Sequence, residues 1–186
     1  MHNEPLEAHE HAEHAMHAEH DGFVSRVAIQ VAVLAVLAAA AGNLESIEAE
    51  KVLVGTSQAT LEQDKATDAW GEYEADSIKR HLYALAAEQN GAQADKYRKT
   101  SADENAKQAE TRKHAKDSED NRNTLLAAAE VHEARHHWLT GSATLCEIAI
   151  ALSTVALVTR RKLLWAGGAL LGLGGAVLLA LAYVTI

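Results

Sequence analysis

The sequence predicts an all-α membrane protein: three transmembrane helices, with a long antiparallel helical hairpin between the first and the second. Three observations carry this expectation. The apolar residues, 48% of 186, gather in three segments, 23–43, 141–159 and 163–186. Each is long enough to cross a hydrocarbon core of about 30 Å. Between the first two lies a polar stretch, 44–140, that contains no proline and has its strongest turn signal, Asn90-Gly91, almost at its midpoint. A basic run, Arg160-Arg161-Lys162, separates the last two segments.

Composition narrows the function classes. The formal net charge of −9 argues against a nucleic-acid partner held through phosphate contacts. The single cysteine, Cys146, lies inside an apolar segment and allows no intrachain disulfide.

Residues 1–22 form a tail with six histidines and no lysine or arginine. His9, His11, His14, His17 and His20 are interleaved with Glu and Ala, and Glu7/His11, Glu10/His14 and Glu13/His17 stand four apart, as helical neighbours would. This composition suits a solvated tail. As a His-rich tract it is also a candidate weak site for Zn, Ni or Cu ions, and its imidazoles would respond to pH near 6. No cysteine closes a four-ligand structural zinc site there.

The first span is interrupted by Ser25, Arg26 and Gln30. Arg26 sits near enough to its start to snorkel to the headgroups. The acidic tail before it is the wrong leader for a cleaved signal peptide. Ala28, Ala32, Ala35, Ala39 and Gly42 form a stripe expected to make close helix contact.

The polar stretch divides at Asn90-Gly91 into two arms of nearly equal length, so a hairpin would reach about 70 Å at 1.5 Å per residue. The first arm repeats Ile47, Val54 and Leu61 every seven residues, then carries Trp70, Tyr73, Ile78, Leu82 and Tyr83. The second arm is richer in alanine, which buries little area per residue. So thin a hairpin is expected to pack against copies of itself or a partner.

In the second span Glu147 is the one acid, about 9 Å in from Gly141 and near enough to the interface to be wetted. Trp138 suits the interface just outside that span. In the third, Gly168, Gly172, Ala176 and Ala180 stand four apart and make a helix-packing face. The membrane-proximal ends of the polar stretch are poor in bases. By the positive-inside rule, Arg160, Arg161 and Lys162 then face the cytoplasm together with the N-terminus, and the hairpin faces outward.

The run Asp68-Ala69-Trp70-Gly71-Glu72-Tyr73-Glu74-Ala75-Asp76-Ser77-Ile78-Lys79-Arg80-His81-Leu82-Tyr83 resembles a bacterial family, number 4337 among the domains of unknown function. The Glu/His-rich tail, the early span and Leu157-Val158-Thr159-Arg160-Arg161-Lys162-Leu163-Leu164-Trp165 fit the same pattern, so the resemblance covers nearly the whole chain. Gly71-Glu72 departs from it, where bulkier residues are expected. With the basic loop, the resemblance implies a multi-pass protein of the bacterial inner membrane, hairpin on the periplasmic side. It transfers no catalytic residue.

No nucleophile–base pair, phosphate loop or spaced ligand cluster stands out in the hairpin. The expected function is a non-enzymatic, membrane-anchored helical protein that oligomerises or scaffolds a membrane complex, with lipid and copies of itself as partners. The alternatives are metal-ion handling or sensing through the tail, and a channel or transporter accessory.

Overall fold

The computed structural model describes residues 22–89 and 91–184; the five tail histidines considered as metal ligands lie outside them. Among the described residues there are three α-helices and no strand. Helix α1 is Gly22–Gln89, a 3-10 turn covers Gly91–Gln93, α2 is Ala94–Thr159, and α3 is Lys162–Val184. Each of the three is long and apolar enough in part to cross a membrane.

The great length of α1 and α2 follows from what the sequence omits. No proline interrupts either, and the isolated Gly55 and Gly71 each cost α1 only about 1 kcal/mol against alanine. Hydroxyls along α1 donate to carbonyls one turn back, as Thr56 does to Val52 and Thr60 to Thr56, so they leave no competing donor. The break between α2 and α3 is local. Arg160 adopts φ 53°, a left-handed conformation that costs a non-glycine residue about 1–2 kcal/mol. The amides of Leu164 and Trp165 then donate to the Arg161 carbonyl as α3 begins.

The chain forms two compact units. One comprises Met1–Ala49 with Ala134–Ile186, the other Glu50–Glu133. In the first, α1 buries Val27, Leu34 and Ala41; α2 buries Leu139, Ser142, Cys146, Ala149, Ser153 and Ala156; α3 buries Gly168, Gly172, Gly175 and Ala182. Apart from Ala143, buried beside Ser142, successive positions stand three or four apart, or a sum of such steps, so each helix contributes one narrow face. The stripe expected to make close contact on α1 is placed otherwise: Ala28, Ala32, Ala35 and Ala39 are exposed. Leu34 is buried instead, against Gly172. A hollow floored by glycine is filled by a large side chain, whereas alanine there would forfeit dispersion contacts across the gap.

In the second unit the α1 and α2 segments meet through small and polar side chains. Ala59, Ala66, Ala87, Ala115 and Ala129 are buried, and so are Asp76, Glu104, Gln108 and Thr111. Gly55 lies against Ala129. The seven-residue series named from the sequence is not part of this seam: Ile47, Val54 and Leu61 remain 41, 48 and 56% exposed. Alanine sets the spacing because two long helices with small residues every three or four positions approach closely.

Candidate functional site

The membrane-type unit holds its polar groups in pairs. Gln30 Nε2 of α1 donates to Ser153 Oγ of α2 at 3.0 Å, and that hydroxyl donates to the Ala149 carbonyl at 2.7 Å. Ser142 Oγ donates across to the Gly175 carbonyl of α3 at 2.8 Å. The glycines of α3 make these contacts possible. A Cβ on Gly168 would stand 2.5 Å from Ser153 Oγ and 3.0 Å from the Ala149 carbonyl oxygen; one on Gly175 would meet Cys146 Sγ at 2.7 Å. Gly168 and Gly172 thus form the expected packing face, and its cover comes from α1 and α2 of the same chain. Ala176 is only half-buried, and Ala180 is exposed.

Aromatic and charged groups mark the two ends of this unit. Phe23 and Trp165 meet edge to face at 6.1 Å. At the other end the Arg135 guanidinium lies 5.7 Å from the centre of the Tyr183 ring, and Thr140 Oγ1 donates to Glu45 Oε1 at 2.7 Å. Glu147 lies between these ends and is exposed. Its neighbours Cys146 and Ala149 pack at Gly175 and Gly168 of α3.

In the Glu50–Glu133 unit the aromatic run named from the sequence divides in two. Trp70 Nε1 donates to Glu119 Oε1 at 2.9 Å and packs edge to face on Tyr73, while Tyr83 stacks on Tyr97 at 6.3 Å. Ile78 and Leu82 point away, 62 and 60% exposed. Arg80 donates to Asn105 Oδ1 at 2.8 Å, Ser101 Oγ donates to the Arg80 carbonyl at 3.1 Å, and Arg122 donates to Gln63. Two buried carboxylates, Asp76 and Glu104, each accept from the lysine three residues on, Lys79 and Lys107, both at 3.0 Å. Glu104 Oε2 has no partner.

These pairs make stability pH-dependent. The hydrogen bond to Asp76 raises the Lys79 ammonium above the ordinary lysine range, and that to Glu104 does the same for Lys107. Their contribution is complete up to that range and is lost as pH rises through the raised values. The hydrogen bond from Lys65 holds the Glu62 carboxyl below the ordinary carboxylate range, so its contribution is present above that range and lost as pH falls through the lowered value. The thermal midpoint of the full chain in detergent, followed by helical circular dichroism, should therefore be level between the two ranges and fall on both sides. The lysines are exposed, so the falls are small and shrink with added salt. Lys79→Met with Lys107→Met should reduce the alkaline fall; an unaltered alkaline limb would exclude these pairs as its cause.

Sequence reasoning did not find Ser153, Ser142, Glu119 or Glu104 as contact residues. One signal was available: the alanines and polar residues of each arm recur at alternating steps of three and four, a seam that the more apolar Ile47/Val54/Leu61 series obscured. Arg160, Arg161 and Lys162 occupy the α2–α3 turn and its edge.

A family model described as a domain of unknown function (DUF4337) matches residues 23–185 of the chain. No curated protein and no solved structure matches it.

Proposed function

The chain belongs to the family of domains of unknown function (DUF4337), and from that premise we propose a non-enzymatic, membrane-anchored helical protein that assembles with copies of itself or scaffolds a membrane complex. One observation carries this. In the otherwise polar Glu50–Glu133 unit, the large apolar side chains of α1 are on the outside: Leu53, Val54, Leu61, Ile78, Leu82 and Leu85 are all exposed, while the seam is mostly alanine and polar groups. Six large apolar residues left in water by one helix segment are covered when another helix docks on them.

In this proposal the polar stretch is an antiparallel hairpin that leaves the membrane and returns to it. The pairings support it, running from Gly55 with Ala129, through Arg80 with Asn105, to Tyr83 with Tyr97. The α2–α3 turn, with Arg160, Arg161 and Lys162, faces the cytoplasm of a bacterial inner membrane, and the hairpin faces outward. A cysteine at the exposed Gln58 should then react with an impermeant maleimide added to intact cells, and one at Arg161 should not. The reverse pattern would invert the topology.

The mass of the intact particle in mild detergent tests assembly. The expected result is a multiple of the 19.9 kDa chain, or the chain with a second component. Changing Leu61, Ile78 and Leu82 together to serine should cut that mass and leave the helix content unchanged. A wild-type particle of one chain, with no component beside it, would overturn the proposal.

A further inference from the structure

We propose that the outer face of α2 formed by Thr144, Glu147, Ala151 and Thr154 is a self-association surface, on which Glu147 hydrogen-bonds to the same face of a second copy of this chain. It rests on the self-assembly proposed above and names where, within the membrane, that assembly closes.

Depth comes first. At 1.5 Å per residue Glu147 stands about 18 Å along α2 from Arg135 and about 20 Å from Arg160, so it lies midway between the basic residues at the two ends. The contacts of its neighbours with Gly168 and Gly175 put it beside the middle of α3. A carboxyl at that depth is costly unless it is partnered or reaches water. Three polar groups near this depth, Gln30, Ser142 and Ser153, turn inward and are hydrogen-bonded. Glu147 is exposed and makes no hydrogen bond or ion pair among the described residues.

The face around it identifies the occupant. Thr144, Glu147, Ala151 and Thr154 are all exposed and follow steps of three, four and three, the spacing of a two-helix seam. Ala151 at its centre lets a second helix approach closely. The hydroxyls of Thr144 and Thr154 donate to their own helix at Thr140 and Ile150, and each has lone pairs, or a rotated proton, to offer a carboxyl. The face therefore carries both halves of a hydrogen-bonded pair. Copies of one chain insert in the same direction, so two such faces meet in parallel across a two-fold axis, which sets Glu147 level with Glu147 of the other copy and about one turn from that copy's Thr144 hydroxyl.

Disulfide crosslinking of Ala151→Cys in native membranes tests this, with wild type, whose only cysteine is buried, and Leu170→Cys, on the exposed side of α3, as controls. Ala151→Cys should give a band of two chains, and the controls should not. Adding Glu147→Leu should lower that band about tenfold, and Glu147→Gln, which keeps the hydrogen bond, should retain it. If the detergent particle is multimeric but Ala151→Cys does not crosslink, crosslinks to a different protein, or is indifferent to Glu147→Leu, this face is wrong and self-assembly stands. If the wild-type particle is a single chain, both fall.

Discussion

Gly168→Leu is expected to unfold the membrane-type unit at a distinctly lower temperature than wild type. A Cβ at this position meets Ser153 Oγ at 2.5 Å and the Ala149 carbonyl oxygen at 3.0 Å. The carbonyl belongs to helix backbone and cannot turn aside. The hydroxyl is held between Gln30 and Ala149, so moving it breaks two hydrogen bonds in a region without water. Overpacking of a filled core costs about 1–3 kcal/mol, and two broken intramembrane hydrogen bonds add about 1 kcal/mol more. Gly71→Ala is the contrasting control. Nothing lies within 4 Å of a Cβ there, and α1 continues on both sides, so it should gain about 0.5–1 kcal/mol from helix propensity. Unfolding by heat or by a denaturing detergent, read by circular dichroism, measures both. A Gly168→Leu protein as stable as wild type would mean that α3 does not pack on α2 at this distance.

Ala66→Leu combined with Ala115→Leu is expected to split the seam of the Glu50–Glu133 unit, at a cost of about 1–3 kcal/mol for each site. Both alanines are completely buried. In a seam of free spacing, leucine would stabilise a helix pair by adding buried area. Here the spacing is held on either side by directional contacts. Arg122 reaches Gln63 on one side of both sites and Arg80 reaches Asn105 at 2.8 Å on the other, with Trp70 Nε1 on Glu119 at 2.9 Å between them, and all three fail if the helices part to admit leucine. With Trp138 and Trp165 changed to phenylalanine, the indole offers a local probe, because tryptophan emission shifts when Trp70 is wetted. Loss of protection of nearby amides, with a lower thermal midpoint, is the expected outcome. A raised midpoint would show that the helices separate freely and that alanine does not set their distance.

Much of the architecture is legible in the sequence. Three apolar segments free of proline, and a polar stretch equally free of it, dictate long helices, because each backbone group is satisfied within its own helix and nothing in the chain interrupts the ladder. Arg160 and its basic neighbours likewise marked the break between α2 and α3, since three charges do not continue an apolar span. Gly168 and Gly172 were legible as a packing face because only small residues let helices approach.

Which residues fill that face was not legible. Periodicity assigns residues to a side of a helix, but it cannot say which side is turned inward when several carry small residues. Ala28, Ala32, Ala35 and Ala39 had the better small-residue stripe, yet Leu34 was taken inward, since it fits the hollow that Gly172 leaves. Ile47, Val54 and Leu61 had the stronger hydrophobic repeat, yet alanines and hydrogen-bonded polar groups form the seam, since close approach and paired donors outweigh area where helices are long and thin. Gln30 could be seen as a polar residue in a span; that Ser153 receives its hydrogen bond, and that Glu147 receives none, depends on how α1, α2 and α3 rotate against one another. Those rotations are set by contacts between residues as far as 123 positions apart in the chain, which no local pattern encodes.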